Sequence, residues 1–301
     1  MRGALLVALA LSANQAPSYA AEAGTGAYWP GFRTYLTGVV PSKPGLYLRN
    51  DIIGYSGSIP KVPLNGVPVA DASVDAVIEV VEPVYVMPHK LWGANHAILV
   101  TQGFAYVELT GTVLGPDVTV SGNRFAPTGT AISRLYLGWE HENLHFNTNL
   151  AIFMPIGDYN IRRVVNQDRN FWTFDLQFGA THFDPKTGWD FSAALGYSIN
   201  TQNPGTRYRS GDVLHLDFAV GRLLESQLKP GVSGYAWLQI RPDSGAGAIL
   251  GSFESRVLGL GPIIELRLNP RSTLALRYYK EFGAVNHLQG HQAALSFKMA
   301  F

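Results

Sequence analysis

Trp172-Thr173-Phe174-Asp175-Leu176-Gln177-Phe178-Gly179-Ala180-Thr181 alternates strictly between two kinds of side chain. Trp172, Phe174, Leu176, Phe178 and Ala180 fall on one face; Thr173, Asp175, Gln177, Gly179 and Thr181 fall on the other. After the turn signal Asp184-Pro185-Lys186-Thr187-Gly188 the alternation resumes with Trp189, Phe191, Ala193, Leu195, Tyr197 and Ile199 against Asp190, Ser192, Ala194, Gly196, Ser198 and Asn200. A period of two is that of a strand and not of a helix, and two such runs around a Pro/Gly turn make an antiparallel hairpin.

Working outward, the same pattern predicts about twelve strands. They cover Leu46 to Tyr55, Ser73 to Val86, Gly93 to Thr110, Thr130 to Glu140, Leu144 to Met154, Phe171 to Phe183, Trp189 to Ile199, Tyr208 to Leu223, Val232 to Ile240, Phe253 to Leu268, Thr273 to Phe282 and Leu288 to Phe301. Short connections alternate with longer ones, the latter near Gly57 to Ala72, Gly111 to Gly129, Pro155 to Asn170 and Arg241 to Ser252. Only Glu225 to Gly231 (long) and Gly283 to Asn286 (short) break the alternation. An even number of strands with short turns at one end and longer loops at the other is the layout of an outer-membrane barrel.

Composition agrees. Of 301 residues 47% are hydrophobic and only 15% charged, against about 25% charged in soluble domains. Twenty-three Lys and Arg balance 22 Asp and Glu, leaving no positive excess for a nucleic-acid backbone. Residues 1–20 carry one Arg, an apolar run and small residues before Ala21, the pattern of a secretory signal peptide. The chain has no Cys, so an exported protein of this kind relies on packing and closed backbone pairing, not on disulfides. No cofactor is implied.

Period two does not say which face is outside. A barrel of about eight strands is already filled by its own side chains, whereas twelve give a backbone radius of roughly 12 Å and a wet lumen. A basic side chain at the bilayer midplane costs about 2–4 kcal/mol. The apolar face therefore meets lipid, and Arg134, Glu140, Asp175, Asp190, His215, Asp217, Glu265, Arg267, Arg277 and Lys298 are predicted to line the channel. Trp92, Trp139, Trp172, Trp189 and Trp237 are read as an interfacial girdle. The last run, ending at Phe301, is similar to the terminal signal by which such barrels are handed to the outer-membrane assembly machinery.

The chain resembles the outer-membrane proteins associated with the meta-pathway of phenol degradation. The resemblance is carried by Tyr28-Trp29-Pro30-Gly31, by Gly38-Val39-Val40-Pro41-Ser42-Lys43-Pro44-Gly45-Leu46-Tyr47, and by Pro155-Ile156-Gly157-Asp158-Tyr159 with Asn170 and Trp172 after it. Tyr208 with Gly211-Asp212, Gly259-Leu260-Gly261-Pro262 and the aromatic end add to it. Pro-Ile-Gly stands where the family pattern looks like Pro-Thr-Gly. What the resemblance implies is a Gram-negative outer-membrane barrel that admits small hydrophobic or aromatic solutes, with no catalytic residues.

Other signals carry less. His141-Glu142-Asn143-Leu144-His145 spells a zinc-protease motif, but that chemistry needs both imidazoles on one helical face, and here the motif falls at a turn between strands. Gly245-Ala246-Gly247-Ala248-Ile249-Leu250-Gly251 has neither the Lys of a phosphate loop nor its strand and helix. His215 and Asp217 share a face and form a possible acid–base pair for a lipid-acting enzyme, yet no Gly-x-Ser-x-Gly occurs. An adhesion barrel without a passage is the third alternative. Pro83, and Pro262 after Gly261, each remove a ladder hydrogen bond within lipid, so a bulge is expected at each, either without a role or as a lateral opening through which an apolar solute leaves the lumen; Pro83, Gly261 and Pro262 are the candidates for that opening. Residues 21–45 precede the barrel of residues 46–301 as a tail or a lumen plug; Tyr28, Trp29, Phe32, Tyr35 and Leu36 favour the plug.

Overall fold

The computed structural model describes residues 26–64, 67–113, 118–248 and 251–301; the expected signal peptide lies outside them. Twelve strands run antiparallel in chain order: β1 (Gly45–Leu64), β2 (Val67–Leu91), β3 (Ala94–Val113), β4 (Val118–His141), β5 (Leu144–Met154), β6 (Thr173–Phe183), β7 (Trp189–Asn200), β8 (Val213–Arg222), β9 (Leu228–Gln239), β10 (Arg256–Asn269), β11 (Ser272–Val285) and β12 (Gln289–Ala300). Each pairs with its sequence neighbours, and β1 pairs with β12 from Tyr47↔Ala300 to Ser58↔Gln289, so the sheet closes as a transmembrane up-and-down barrel. The start of β1 and the end of β12 lie at the end of the short turns.

Two of the expected loops are strand. Pairing of β1 with β2 continues to Leu64↔Val67, and that of β3 with β4 to Val113↔Val118. The Gly, Ser and Pro of these stretches resemble loop composition. Pairing is backbone chemistry, however, and the inward positions Ile59, Ala72 and Leu109 are buried as a strand face requires. At 20 to 25 residues, β1 to β4 are about twice the 9–11 that cross a bilayer. Their excess stands beyond the lipid belt at the loop end, where the outward side chains turn polar (Ser56, Asp75, Glu108, Asn123).

The faces fall as the alternation requires. Leu176 is 41% exposed on the barrel exterior and Asp175 fully buried inside. Of the expected Trp girdle, Trp139, Trp172 and Trp189 lie outside and Trp92 at the β2–β3 turn, whereas Trp237 is buried in the lumen, its indole N–H donating to Ser255. The His141–His145 motif forms the β4–β5 turn, with Glu142 at φ 52°; no helix carries it.

Neither proline makes a bulge. The β2–β3 register is the same on both sides of Pro83, through Val81↔Gln102 and Val84↔Leu99. Leu260↔Lys280 and Ile263↔Arg277 likewise keep one register across Gly261 and Pro262. The missing donor removes pairs without adding a residue. Register shifts occur instead between Gln102 and Phe104 on β3, and between Ile132 and Tyr136 on β4.

The facing has a direct test. Leu176→Arg turns a charge into lipid and should lower folding free energy by about 2–4 kcal/mol, read by urea titration in lipid, while Leu176→Phe should change it by less than about 1 kcal/mol. Equal effects would show that this face does not meet lipid.

Candidate functional site

Residues 26–40 lie within the lumen, and a row of wall side chains holds them, mostly by their backbone. Asp217 on β8 accepts three hydrogen bonds, from the Tyr28 hydroxyl at 2.5 Å and from the Gly31 and Arg33 amides at 2.9 Å each. The Leu36 amide donates to Ser192 Oγ and the Gly38 amide to Thr181 Oγ1, each at 2.9 Å. Asn147 Nδ2 donates to the Thr37 carbonyl at 2.6 Å and Asn95 Nδ2 to that of Val40 at 3.2 Å. Gly31 sits at φ 78° and a Cβ there would meet the rings of Tyr279 and Tyr235, so only glycine lets the segment turn against the wall.

The aromatic side chains of the segment fill the remaining gaps. The Tyr28 ring stacks on His215 at 3.9 Å. The Trp29 indole N–H donates to Gln292 at 2.8 Å, Phe32 lies under the Arg49 guanidinium at 3.7 Å, and Tyr35 under the Lys229 ammonium at 4.6 Å.

Around the segment the wall charges are paired. Asp51 accepts from Arg49 and from Arg277 at 2.9 Å. Lys229 bridges Asp190 at 2.9 Å and Glu265 at 3.6 Å, with Lys298 3.8 Å from Glu265. Buried charges need such partners, because an isolated one in low dielectric costs several kcal/mol. Glu281 accepts from Tyr55 at 2.8 Å and Tyr235 at 2.6 Å.

Asp175, Asp190, His215, Asp217, Glu265 and Arg277 are thus buried lumen residues, and Lys298 is partly exposed beside them. Arg267 and Glu140 share the inward parity but are exposed at the short-turn end. Arg134 does not join the lining: it is exposed beside Leu135 within the β4 register shift, which takes it out of phase with the inward Ser133 and Tyr136. His215 does not pair with Asp217 either. Its Nε2 lies 2.9 Å from Asp175 Oδ1, and its Nδ1 has no partner among the described residues. Arg49, Asp51, Glu82, Lys229 and Glu281 escaped the sequence reading. For Arg49 and Asp51 the signal was present, since they continue the inward parity of Ile53 and Tyr55.

The other side of the lumen is mostly apolar, with Arg33, Glu82, Asp168 and Arg169 at its margins. A cavity of about 270 Å³ lies between the segment and the wall of β2 to β5. Ala76, Ile78 and Val80 on β2, Ala105 and Leu109 on β3 and Ala151 on β5 face it, with Trp29 and Phe32 on the segment side. β2 therefore carries apolar residues on both faces, which its sequence alternation does not display. Toward the loop end the cavity is bounded by the β5–β6 connection through Val164, Val165 and Phe171. Asp158 braces that connection, accepting from Arg163 at 2.6 Å and from Arg124; the Arg124 hydrogen bond, with that of Arg163, holds its carboxyl below the usual range.

The chain is similar to known proteins. The family described as putative MetA-pathway of phenol degradation matches residues 57–297. The crystal structure of an outer membrane channel from Pseudomonas putida F1 superposes with a TM-score of 0.67 at 10% identity, covering 87% of this chain and 100% of that one. The transport unit of the autotransporter AIDA-I from Escherichia coli gives 0.48 at 12% identity, over 87% and 92% of the two chains. A Pseudomonas aeruginosa FadL homologue gives 0.40 at 8%, over 95% and 99%. No curated protein sequence matches the chain.

If Asp217 latches the segment, Asp217→Ala removes three charge-assisted hydrogen bonds, each worth about 1.5–3 kcal/mol. Hydrogen exchange at the Gly31 and Arg33 amides should then rise by about two orders of magnitude while strand amides stay protected. Unchanged protection at those two amides would contradict the latch.

Proposed function

The chain belongs to the family described as putative MetA-pathway of phenol degradation, and from that premise we propose that it is a passive channel for small hydrophobic or aromatic compounds in the outer membrane of a Gram-negative bacterium. The observation that carries this reading is the apolar cavity inside a barrel whose remaining lumen is packed with paired charges. A water-filled polar pore has no use for Ile78, Val80, Leu109 and Phe153 on its inner wall, because their exposure to water is unfavourable by about 25 cal/mol per Å². An apolar solute gains what water loses there. Residues 26–40 act in this reading as a plug that closes the axial route to ions, held by Asp217, Ser192 and Thr181.

An apolar solute leaving the cavity for the wet periplasm forfeits that gain, so a lateral route into the membrane is part of the proposal. Two features of the cavity wall support it. Between β2 and β3 the pairs that Glu82 and Pro83 would make with Thr101 and Val100 are missing. On the other side of β3 the register shifts at Gly103, opposite Thr128 and Gly129. Glu82, Thr101, Gly103, Thr128 and Gly129 all line the cavity, so β3 is held least where the cavity meets it. Pro262, against β11, is not among the lining residues.

Uptake into proteoliposomes tests both parts. Toluene should enter faster than through protein-free vesicles, whereas a pentose should not. Pro83→Val restores a ladder donor and suits strand geometry; it should slow toluene entry severalfold and leave the small ion conductance unchanged. Pentose entry without toluene entry would overturn the channel reading. Wild-type toluene rates in a normally folded Pro83→Val protein would remove the route beside β3 alone.

A further inference from the structure

On the barrel exterior, the side chains at the loop end change sign around the wall. One register row runs from Leu260 on β10 through Lys280, His291, Ser56, Asp75 and Glu108 to Asn123 on β4, and every side chain in it is exposed. Lys280 stands between the buried Tyr279 and Glu281, and His291 beside the buried Gln292, so both belong to the outer face. Arg256 does too, next to the buried Ser255 and Val257; it lies four residues beyond Leu260 toward the loops, about 13 Å along β10. Further round the same row Asp75 and Glu108 oppose one another across β2 and β3, with the exposed Asp71 and Glu79 on either side. One arc is therefore basic and the next acidic.

The basic arc is not neutralised from within. Neither Lys280 nor Arg256 forms an ion pair among the described residues, and Glu254, exposed two residues beyond Arg256, forms none either. The Tyr278 hydroxyl lies 2.5 Å from His291 Nδ1; with Tyr278 donating there, Nε2 carries the proton and remains a donor. Below these groups the outward Leu260, Leu276 and Leu295 are exposed. Cations above an apolar belt match a ligand with an anionic head and acyl chains. We infer that the exterior of β10 to β12 is a binding site for a phosphorylated glycolipid of the outer leaflet, with one phosphate on Lys280 and His291, a second on Arg256, and the acyl chains along the leucines. Sidedness selects the leaflet, because in such barrels the short turns face the periplasm and the loops face outward. Charge selects the arc, because Asp75 and Glu108, like charges directly opposite one another, repel the same phosphates. The inference rests on the outer-membrane placement of the barrel and is independent of what passes through it.

Native mass spectrometry of the full-length protein in neutral detergent, titrated with lipid A carrying two phosphates or with its phosphate-free form, tests the site. The wild type should bind the phosphorylated lipid more tightly. Each cation beside an anionic headgroup is worth about fivefold in affinity, so Lys280→Gln combined with Arg256→Gln should weaken that binding about ten- to thirtyfold and leave the phosphate-free lipid unchanged. Both side chains are exposed, so the urea midpoint of this double variant should match the wild type. Lys280→Arg combined with Arg256→Lys keeps both charges and should bind as the wild type does, and Asp75→Asn combined with Glu108→Gln on the acidic arc should cost no affinity. Equal losses for the two lipids, no loss in the double Gln variant, or phosphatidylglycerol binding as tightly as lipid A through the same two residues would overturn the assignment and leave the channel reading standing. So would dimers of the protein that dissociate in Lys280→Gln and Asp75→Asn alike, which would give the basic arc to the acidic arc of a second copy.

Discussion

Closure of β1 on β12 governs the placement of everything else. In lipid an unpaired backbone donor or acceptor costs several kcal/mol, so a spanning sheet must have no edge. Once the sheet closes, each strand has one face in lipid and one in the lumen, and the inward charges of the spanning strands must find their partners inside, whereas the outward Glu79 takes a hydrogen bond from Asn50. Asp51, Arg49 and Arg277 form one such cluster; Lys229, Asp190 and Glu265 form another. These clusters are consequences of closure and need no role in transport.

The N-terminal segment completes what the wall leaves open. Asp217 has no basic partner; its three donors come from residues 28–33, so the wall and the segment are each unsatisfied without the other. Because the segment takes the polar side of the lumen, the apolar inner faces of β2, β3 and β5 are left facing the segment across a cavity. A lumen divided in this way fits the passage of apolar solutes better than that of ions. It also gives a long hydrophobic face a purpose that barrel stability does not supply.

Much of this was legible in the chain. The hairpin from Trp172 to Ile199 shows strand period, turn and facing together, because Asp175 and Asp190 differ so sharply from Leu176 and Phe191. Alternation also found the burial of His215, Glu265 and Arg277. It failed at Val74 to Val81, where the inward Ala76, Ile78 and Val80 are apolar while the outward face mixes Asp75 and Glu79 with Val77, the reverse of the polar-inside rule that the alternation was read by. It failed again at Arg134, where a register shift inverts parity downstream, and at Gly57 to Ala72, where turn-like residues are held in a ladder by their neighbours. The partner of His215 was out of reach for a different reason: Asp175 is forty positions away, and only the barrel circumference brings the two together.

The account stands on the cavity being a compartment for apolar solutes. Soaking crystals of the protein with bromobenzene and mapping the bromine by anomalous diffraction tests this directly. Bromine density inside the barrel, between Trp29 and Phe32 on the segment and Ala105 and Leu109 on β3, is the predicted result. Bromine found only on the lipid-facing exterior, with the cavity unlabelled, would contradict the account.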